Sequence, residues 1–203
     1  VKINQLAQYL EWIMKFAYLN ILWLGSTLLG VGLFGFFPAT MTSFILLKSF
    51  IVDGETEWTV QDFFSCYKKI FFRSNKLGFI CWLILGSLGI NFHIVLTSEE
   101  PLFIGLRIPI LLAIIGTLAM LVYVFPISVY WGRSMCQTFF SAGCFALAFP
   151  VQTAKVLALL IFIACIGFLF PMFLLFFSGS VSMYLVLKNY VLLQMKIDKQ
   201  SME

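Results

Sequence analysis

Apolar positions run along this chain in long blocks, and polar positions fall between the blocks or along one side of the short ones. From Phe16 to Leu47 no residue is charged, and Gly30, Gly32, Gly35 and Pro38 lie inside that run. One unbroken helix over residues 17–52 would be about 54 Å long, against a hydrocarbon core of about 30 Å. Proline removes a backbone donor and crowds the turn before it, and the glycines weaken the helix just ahead. The pattern predicts a membrane hairpin turning at Phe37-Pro38, with a return arm over residues 39–52 of about 21 Å. Further uncharged runs at 77–98, 108–132 and 156–187 are each long enough to cross a bilayer. The last of them divides into two spans, kinked at Pro171 and turned at Ser178-Gly179-Ser180, which brings the predicted count to six.

The shorter segments carry a helical period. Residues 3–16 place apolar side chains at 3, 6, 7, 10, 13 and 14, with Asn4, Gln8, Glu11 and Lys15 opposite. Such a helix suits the membrane interface, where Tyr9, Trp12 and Tyr18 add aromatic anchors. Asp53-Gly54-Glu55 predicts a break. Thr59 then caps a helix to about Ser74, with Asp62 at the favourable third position. Its apolar Val60, Phe63, Phe64, Tyr67, Ile70 and Phe71 alternate with Gln61, Ser65, Lys68, Lys69 and Arg73. With Lys76 this reads as a basic amphipathic helix on the cytoplasmic leaflet, a surface for lipid or for a partner. Residues 132–155 are diluted by Gln137, Ser141, Gly143, Pro150 and Gln152, and are predicted as an interfacial elbow rather than a span.

Composition agrees with this all-α, polytopic membrane reading: 203 residues, 62% apolar and 11% charged. No period-two alternation marks a β-barrel. Residues 1–203 are expected to form one integral membrane domain, divided at 16, 52, 76, 131 and 155, because the polar stretch 53–76 is too short to bury a core of its own. The net charge of +4 does not point to nucleic acid, since the cations flank apolar runs. With six spans, every Lys and Arg but Arg107 falls on one side, which predicts a multi-pass protein with both termini in the cytoplasm.

Little in the chain promises chemistry. The five cysteines show no CxxC and no Cys/His ligand spacing, so they are expected to pack as small reduced side chains, and no metal is implied. Gly30-Val31-Gly32-Leu33-Phe34-Gly35 matches the dinucleotide pattern GxGxxG. A dinucleotide site needs a strand before it and a soluble helix after it, and both flanks here are apolar, so no cofactor is expected. Ser26 and Gly30 are better read as a small pair that lets a neighbouring helix approach. No carboxylate lies inside a predicted span, which counts against proton-coupled pumping. Lys188, with Asn189 beside it and Asn20 in the first span, forms the candidate intramembrane polar site. The alternative for Lys188 is a side chain that snorkels, or a last helix that starts earlier and brings it nearer the cytoplasm. The two asparagines are candidates for interhelical hydrogen bonds. The single histidine, His93, is expected to be a hydrogen-bonded structural residue. No catalytic set emerges, so an enzyme is not expected.

Several stretches resemble the YesL family of small membrane proteins from Gram-positive bacteria. They are Leu19-Asn20-Ile21-Leu22-Trp23, Phe36-Phe37-Pro38-Ala39-Thr40, Gly54-Glu55, Tyr67-Lys68-Lys69, Ser74-Asn75-Lys76-Leu77-Gly78 and Val124-Phe125-Pro126. Members often lie beside genes for carbohydrate ABC uptake and plant-polysaccharide breakdown. The resemblance implies a bacterial cell-membrane protein acting as an accessory to carbohydrate uptake or sensing, with an ABC transporter permease or a membrane sensor as partner. It supplies no catalytic residue. Kinked spans and the polar trio leave a small-solute transporter or channel as the alternative, and self-association is open.

Overall fold

The computed structural model describes residues 2–53, 58–132 and 134–200. Gly54 and Glu55 of the predicted break, Arg133, and the side chains of residues 3–9 on which the interfacial face rests lie outside the described part. The elements are α1 (Lys2–Leu29), α2 (Leu33–Lys48), a π-helical turn (Ser49–Asp53), α3 (Val60–Thr97), α4 (Pro101–Trp131), α5 (Met135–Ala148), α6 (Pro150–Leu169), α7 (Pro171–Phe173), a second π-helical turn (Leu174–Ser178) and α8 (Gly179–Gln200). Six helical segments are long and apolar enough to cross a membrane, and no strand occurs among the described residues. The chain is an all-α polytopic membrane protein. It divides into two compact units, Val1–Ser74 with Lys155–Glu203, and Asn75–Ala154.

In the first unit the hairpin turns earlier than the sequence predicts. Residues 30–32 reverse the chain, and Pro38 sits inside α2. Proline fixes φ at a helical value and costs one hydrogen bond, whereas a three-residue reversal needs left-handed backbone, which glycine adopts at least cost. Gly32 has φ 70° and Val31 φ 58°, and the Gly32 N–H reaches back to the Thr27 carbonyl at 2.9 Å. The left-handed backbone of the reversal is thus shared by Gly32, which adopts it freely, and Val31, where it is strained. The arms then run antiparallel, with Trp23 meeting Thr40 and Trp12 meeting Phe50.

The helix after the hairpin is also corrected. The amphipathic segment and the following span are one 38-residue helix, α3, about 57 Å long. Ser74-Asn75-Lys76 contains no breaker, and the Ser74 hydroxyl bonds back to the Ile70 carbonyl at 2.7 Å instead of starting a new helix. Its start is as expected: the Thr59 N–H and hydroxyl both donate to Asp62 Oδ2 at 2.8 Å, and the Asp62 N–H returns to Thr59 Oγ1 at 3.3 Å.

A third correction concerns the last two spans. The chain breaks at Phe170 (φ −124°, ψ 87°), where Pro171 opens a new helical segment. Residues 178–180 do not turn, because Gly179 is helical at φ −69°, ψ −51°. Proline at the first position of a helix is well tolerated, whereas in mid-helix it is not, so Pro171 ends α6 rather than bending it.

In the second unit, α4 and α5 pack around Tyr123, whose ring lies 5.0 Å from that of Phe145 and whose hydroxyl meets Thr153 Oγ1 at 3.1 Å. The predicted elbow is in fact α5 followed by the first turn of α6, which begins at Pro150. With 14 residues, α5 is about 21 Å long and too short to cross. Arg107 caps the end of α3, donating to the carbonyls of Val95 (3.2 Å), Leu96 (3.3 Å) and Ser98 (3.1 Å). A cation at a helix C-terminus offsets the helix dipole.

Candidate functional site

In the first unit, two buried polar residues, Asn20 and Ser180, meet at the break between α6 and α8. A π-helical turn leaves carbonyls without their usual partners. Asn20, fully buried on α1, supplies them: its Nδ2 donates to Leu174 O at 3.0 Å and Leu175 O at 2.7 Å. Its Oδ1 accepts the Ser180 N–H at 3.0 Å. These are the interhelical hydrogen bonds expected of it, and three bonds from one amide fix α1 to the start of α8.

One turn further along α1, the Trp23 indole N–H donates to Thr40 Oγ1 at 3.0 Å, and the Thr40 hydroxyl donates to Phe36 O at 2.7 Å. Gly179 lies against the Trp23 ring, where a Cβ would come within 2.8 Å of Cζ3. Only glycine lets α8 come so near the indole. Beside these residues an open groove of about 400 Å³ lies between the hairpin and α6 and α8. Ala164 and Gly167 of α6 and Ser178 and Ser182 of α8 and the turn before it line the groove, together with Trp23 and Thr40. Among the described residues, no charged side chain lines it. Its chemistry is shape, apolar contact and a few hydroxyls, which suits binding rather than proton transfer.

The remaining residues singled out in the sequence fall elsewhere. Lys188 is exposed, its Nζ 5.6 Å from the centre of the Tyr184 ring. Because the last helical run starts at Pro171, Lys188 stands seventeen residues into it, about 26 Å along. Asn189 keeps a buried Oδ1 without a partner. None of Asn20's hydrogen bonds goes to Lys188 or Asn189. Lys68, Lys69, Arg73 and Lys76 are exposed along α3. His93 is exposed too and, among the described residues, has no hydrogen bond to its ring, contrary to expectation: its position on α3 turns it outward rather than onto a neighbour. Of the cysteines, Cys81 is buried and Cys66 partly so, whereas Cys136, Cys144 and Cys165 are exposed. The GxGxxG glycines serve the hairpin: a Cβ on Gly30 would collide with the Gly35 backbone, and the Tyr67 hydroxyl also lies against Gly30.

Sequence reading missed the groove. Trp23, Phe36 and Thr40 carry no charge and no reactive group, so nothing in their chemistry marks them. Yet two of the stretches that carry the family resemblance, 19–23 and 36–40, are the ones that meet here.

Comparison with known proteins agrees with that. Residues 16–92 match the family described as "Protein of unknown function, DUF624". The uncharacterized protein YteU of Bacillus subtilis (strain 168) is 32% identical over 203 residues, covering 99% of this chain and 90% of YteU. The uncharacterized proteins YesL and YesV of the same organism are 29% and 28% identical, over 88% and 89% of this chain and 84% and 88% of their own lengths. No solved structure matches. With near-complete coverage by these relatives and the hairpin and most of α3 inside the matched region, the chain belongs to the DUF624 family of YesL-like membrane proteins.

Proposed function

We propose that this protein is a non-catalytic accessory of a bacterial cell membrane, and that its groove receives a transmembrane helix of a carbohydrate permease or sensor. One observation carries the reading: an apolar, uncharged groove of about 400 Å³, lined by Ala164, Gly167 and Ser182, at the point where Trp23 meets Thr40. Small side chains let helix backbones approach closely, and close packing is what holds helices together in lipid. The carbohydrate context comes from the family resemblance alone. The placing of both termini in the cytoplasm rests on the one-sided distribution of Lys and Arg.

The test is purification of the tagged protein from its native host, grown on plant sugars, in mild detergent. A permease or sensor should co-purify at near-equal stoichiometry. Ala164→Phe with Ser182→Phe should release it without lowering the thermal midpoint of the protein. Retention of the partner by the filled variant removes the groove from the reading, and a wild-type protein that always purifies alone removes the accessory role.

The broken helix at Phe170-Pro171 favours a second reading, a small-solute transporter, since discontinuous helices form many solute sites. Flux of labelled sugars into liposomes would support it, and no flux across a broad panel would end it.

A further inference from the structure

Two layers of aromatic rings stand toward one end of the first unit. In the outer layer Trp12 meets Phe50 edge to face, with centres 4.6 Å apart. In the inner layer Phe16 meets Tyr184 at 5.1 Å, and Trp12 joins the two layers, 6.1 Å from Tyr184. The rings come from α1, the π-helical turn after α2, and α8. Each layer has a cation beside it. Lys15 Nζ lies 5.5 Å from the centre of Phe50, and Lys188 Nζ 5.6 Å from that of Tyr184. Glu11, one turn nearer the start of α1, pairs with Lys15. Trp12 is 40% exposed, and among the described residues its indole N–H has no partner. Lys188 is exposed, and Phe16, Phe50 and Tyr184 are partly so.

Helix rise fixes how far these groups stand from the breaks in the chain. Trp12 is seventeen residues before Leu29, Phe50 seventeen after Leu33, and Lys188 seventeen after Pro171. All three are therefore about 26 Å from a break. Phe16 and Tyr184, each thirteen residues away, stand at about 20 Å. Because those two rings touch, the hairpin reversal and the break at Phe170-Pro171 lie at one level. With both at the far edge of a hydrocarbon core about 30 Å thick, the outer layer stands about 4 Å inside the near edge and the inner layer about 10 Å inside. Tryptophan favours the outer level, since its ring meets acyl chains while its N–H meets headgroups. The backbone of Lys15 is deeper, about 21 Å from the end of α1. Helical side chains lean toward the helix N-terminus, which on α1 is outward, and Lys15 accordingly reaches the outer ring.

We propose that Trp12 and Phe50 seat the first unit at the headgroup boundary of a phospholipid bilayer, with the Lys188 ammonium at the lipid phosphates and Phe16 and Tyr184 among the acyl chains beneath. The Lys15–Glu11 pair then lies in the headgroup layer. Lys188 starts from the outer level, so its side chain reaches the phosphates by turning outward from Tyr184. Its charge belongs to the membrane surface rather than to a route across the membrane. The start of α1 and the end of α8, which carries Lys196 and Lys199, leave the bilayer together at this face. Their shared side follows from the contact between Trp12 and Tyr184 and does not depend on counting cations.

Two measurements on the full-length protein test this. In nanodiscs of phosphatidylcholine and phosphatidylglycerol, both faces are open to a water-soluble amine reagent, and mass spectrometry reads each lysine. Lys188 should be modified nearly as fast as Lys196, and its rate should change little on transfer to detergent. Protection of Lys188 in the disc, relieved several-fold by detergent, would place it inside the membrane and overturn the proposal. For the rings, the protein is reconstituted in vesicles whose phosphatidylcholine is brominated either near the glycerol or near the methyl end of its chains. The difference in emission between wild type and Trp12→Phe isolates Trp12. Shallow bromines should quench it several-fold more than deep ones. Deep bromines that quench it equally overturn the proposal. So does quenching by aqueous iodide and by neither lipid, which would put the rings in water. Equal thermal midpoints establish that Trp12→Phe is folded; if it is not, the labelling of Lys188, which needs no substitution, decides alone.

Discussion

Gly30 and Gly35 approach so closely that a methyl group on either would enter the other's backbone. A Cβ on Gly35 would lie 2.9 Å from Gly30 Cα and 2.5 Å from the Thr27 carbonyl oxygen. Those atoms are main chain and cannot rotate away. Gly30→Ala and Gly35→Ala should therefore each destabilise the protein by about 1–3 kcal/mol. Gly25→Ala, in open space on α1, should be neutral or stabilising by up to about 1 kcal/mol. Thermal unfolding in one detergent compares them, and equal midpoints for all three would remove the close approach as the reason for these glycines.

Asn20 serves three backbone groups at the helix break. Asn20→Leu keeps the volume and strips all three bonds, and should cost about 2–4 kcal/mol. Asn20→Asp keeps the acceptor for the Ser180 N–H but places a carboxylate against two carbonyls, and should be at least as damaging. Protection of the amides near residue 180 in hydrogen exchange should fall together with the melting temperature. A variant as stable as wild type would mean that the π-turn satisfies itself.

Ser128 presents the opposite case. Its Oγ is buried in the second unit with no hydrogen-bond partner. A hydroxyl taken from water without compensation opposes folding, so Ser128→Ala should be neutral or stabilising by about 1 kcal/mol. A clear loss of stability would show that the hydroxyl does find a partner in the membrane.

The start of α3 should respond to acid. Hydrogen bonds from the Thr59 backbone, then from its hydroxyl, hold the Asp62 carboxyl below the usual carboxylate range. The folded value is depressed, so the cap's contribution is present above the unfolded value of about 3.9 and is lost as pH falls through the folded one. Amide exchange at residues 60–63 should therefore speed up below about pH 4, beyond the intrinsic trend. Asp62→Asn should abolish that acid-dependent step.

The spans were the most legible part of the chain, because length and apolar content alone decide whether a helix can cross a bilayer. Residues 77–97 and most of α4 needed nothing more. Where the chain reverses was less legible. Pro38 and the trio Ser178-Gly179-Ser180 look like turns by composition, yet each sits in helix, while Gly30–Gly32 and Phe170-Pro171 carry the actual breaks. Local preference weighs proline against glycine without knowing which neighbouring backbone must come close. The groove was illegible for a related reason. Trp23, Thr40 and Gly179 acquire a role only through one another, and Gly179 is well over a hundred positions from the other two.

The hydrogen bond between Asn20 and Ser180 spans 160 residues, and that separation sets an order of assembly. At roughly 5–20 residues per second, residue 180 is made some 8–30 seconds after residue 20. Throughout that interval the hairpin exists without the backbone groups that its asparagine will hold. The amino-terminal helices must wait in the membrane with an unmet polar group, and the last helix to be synthesised closes the bundle. A chain stalled or truncated before α8 would leave that amide exposed to lipid, a mark by which membrane quality control could tell an unfinished copy from a finished one.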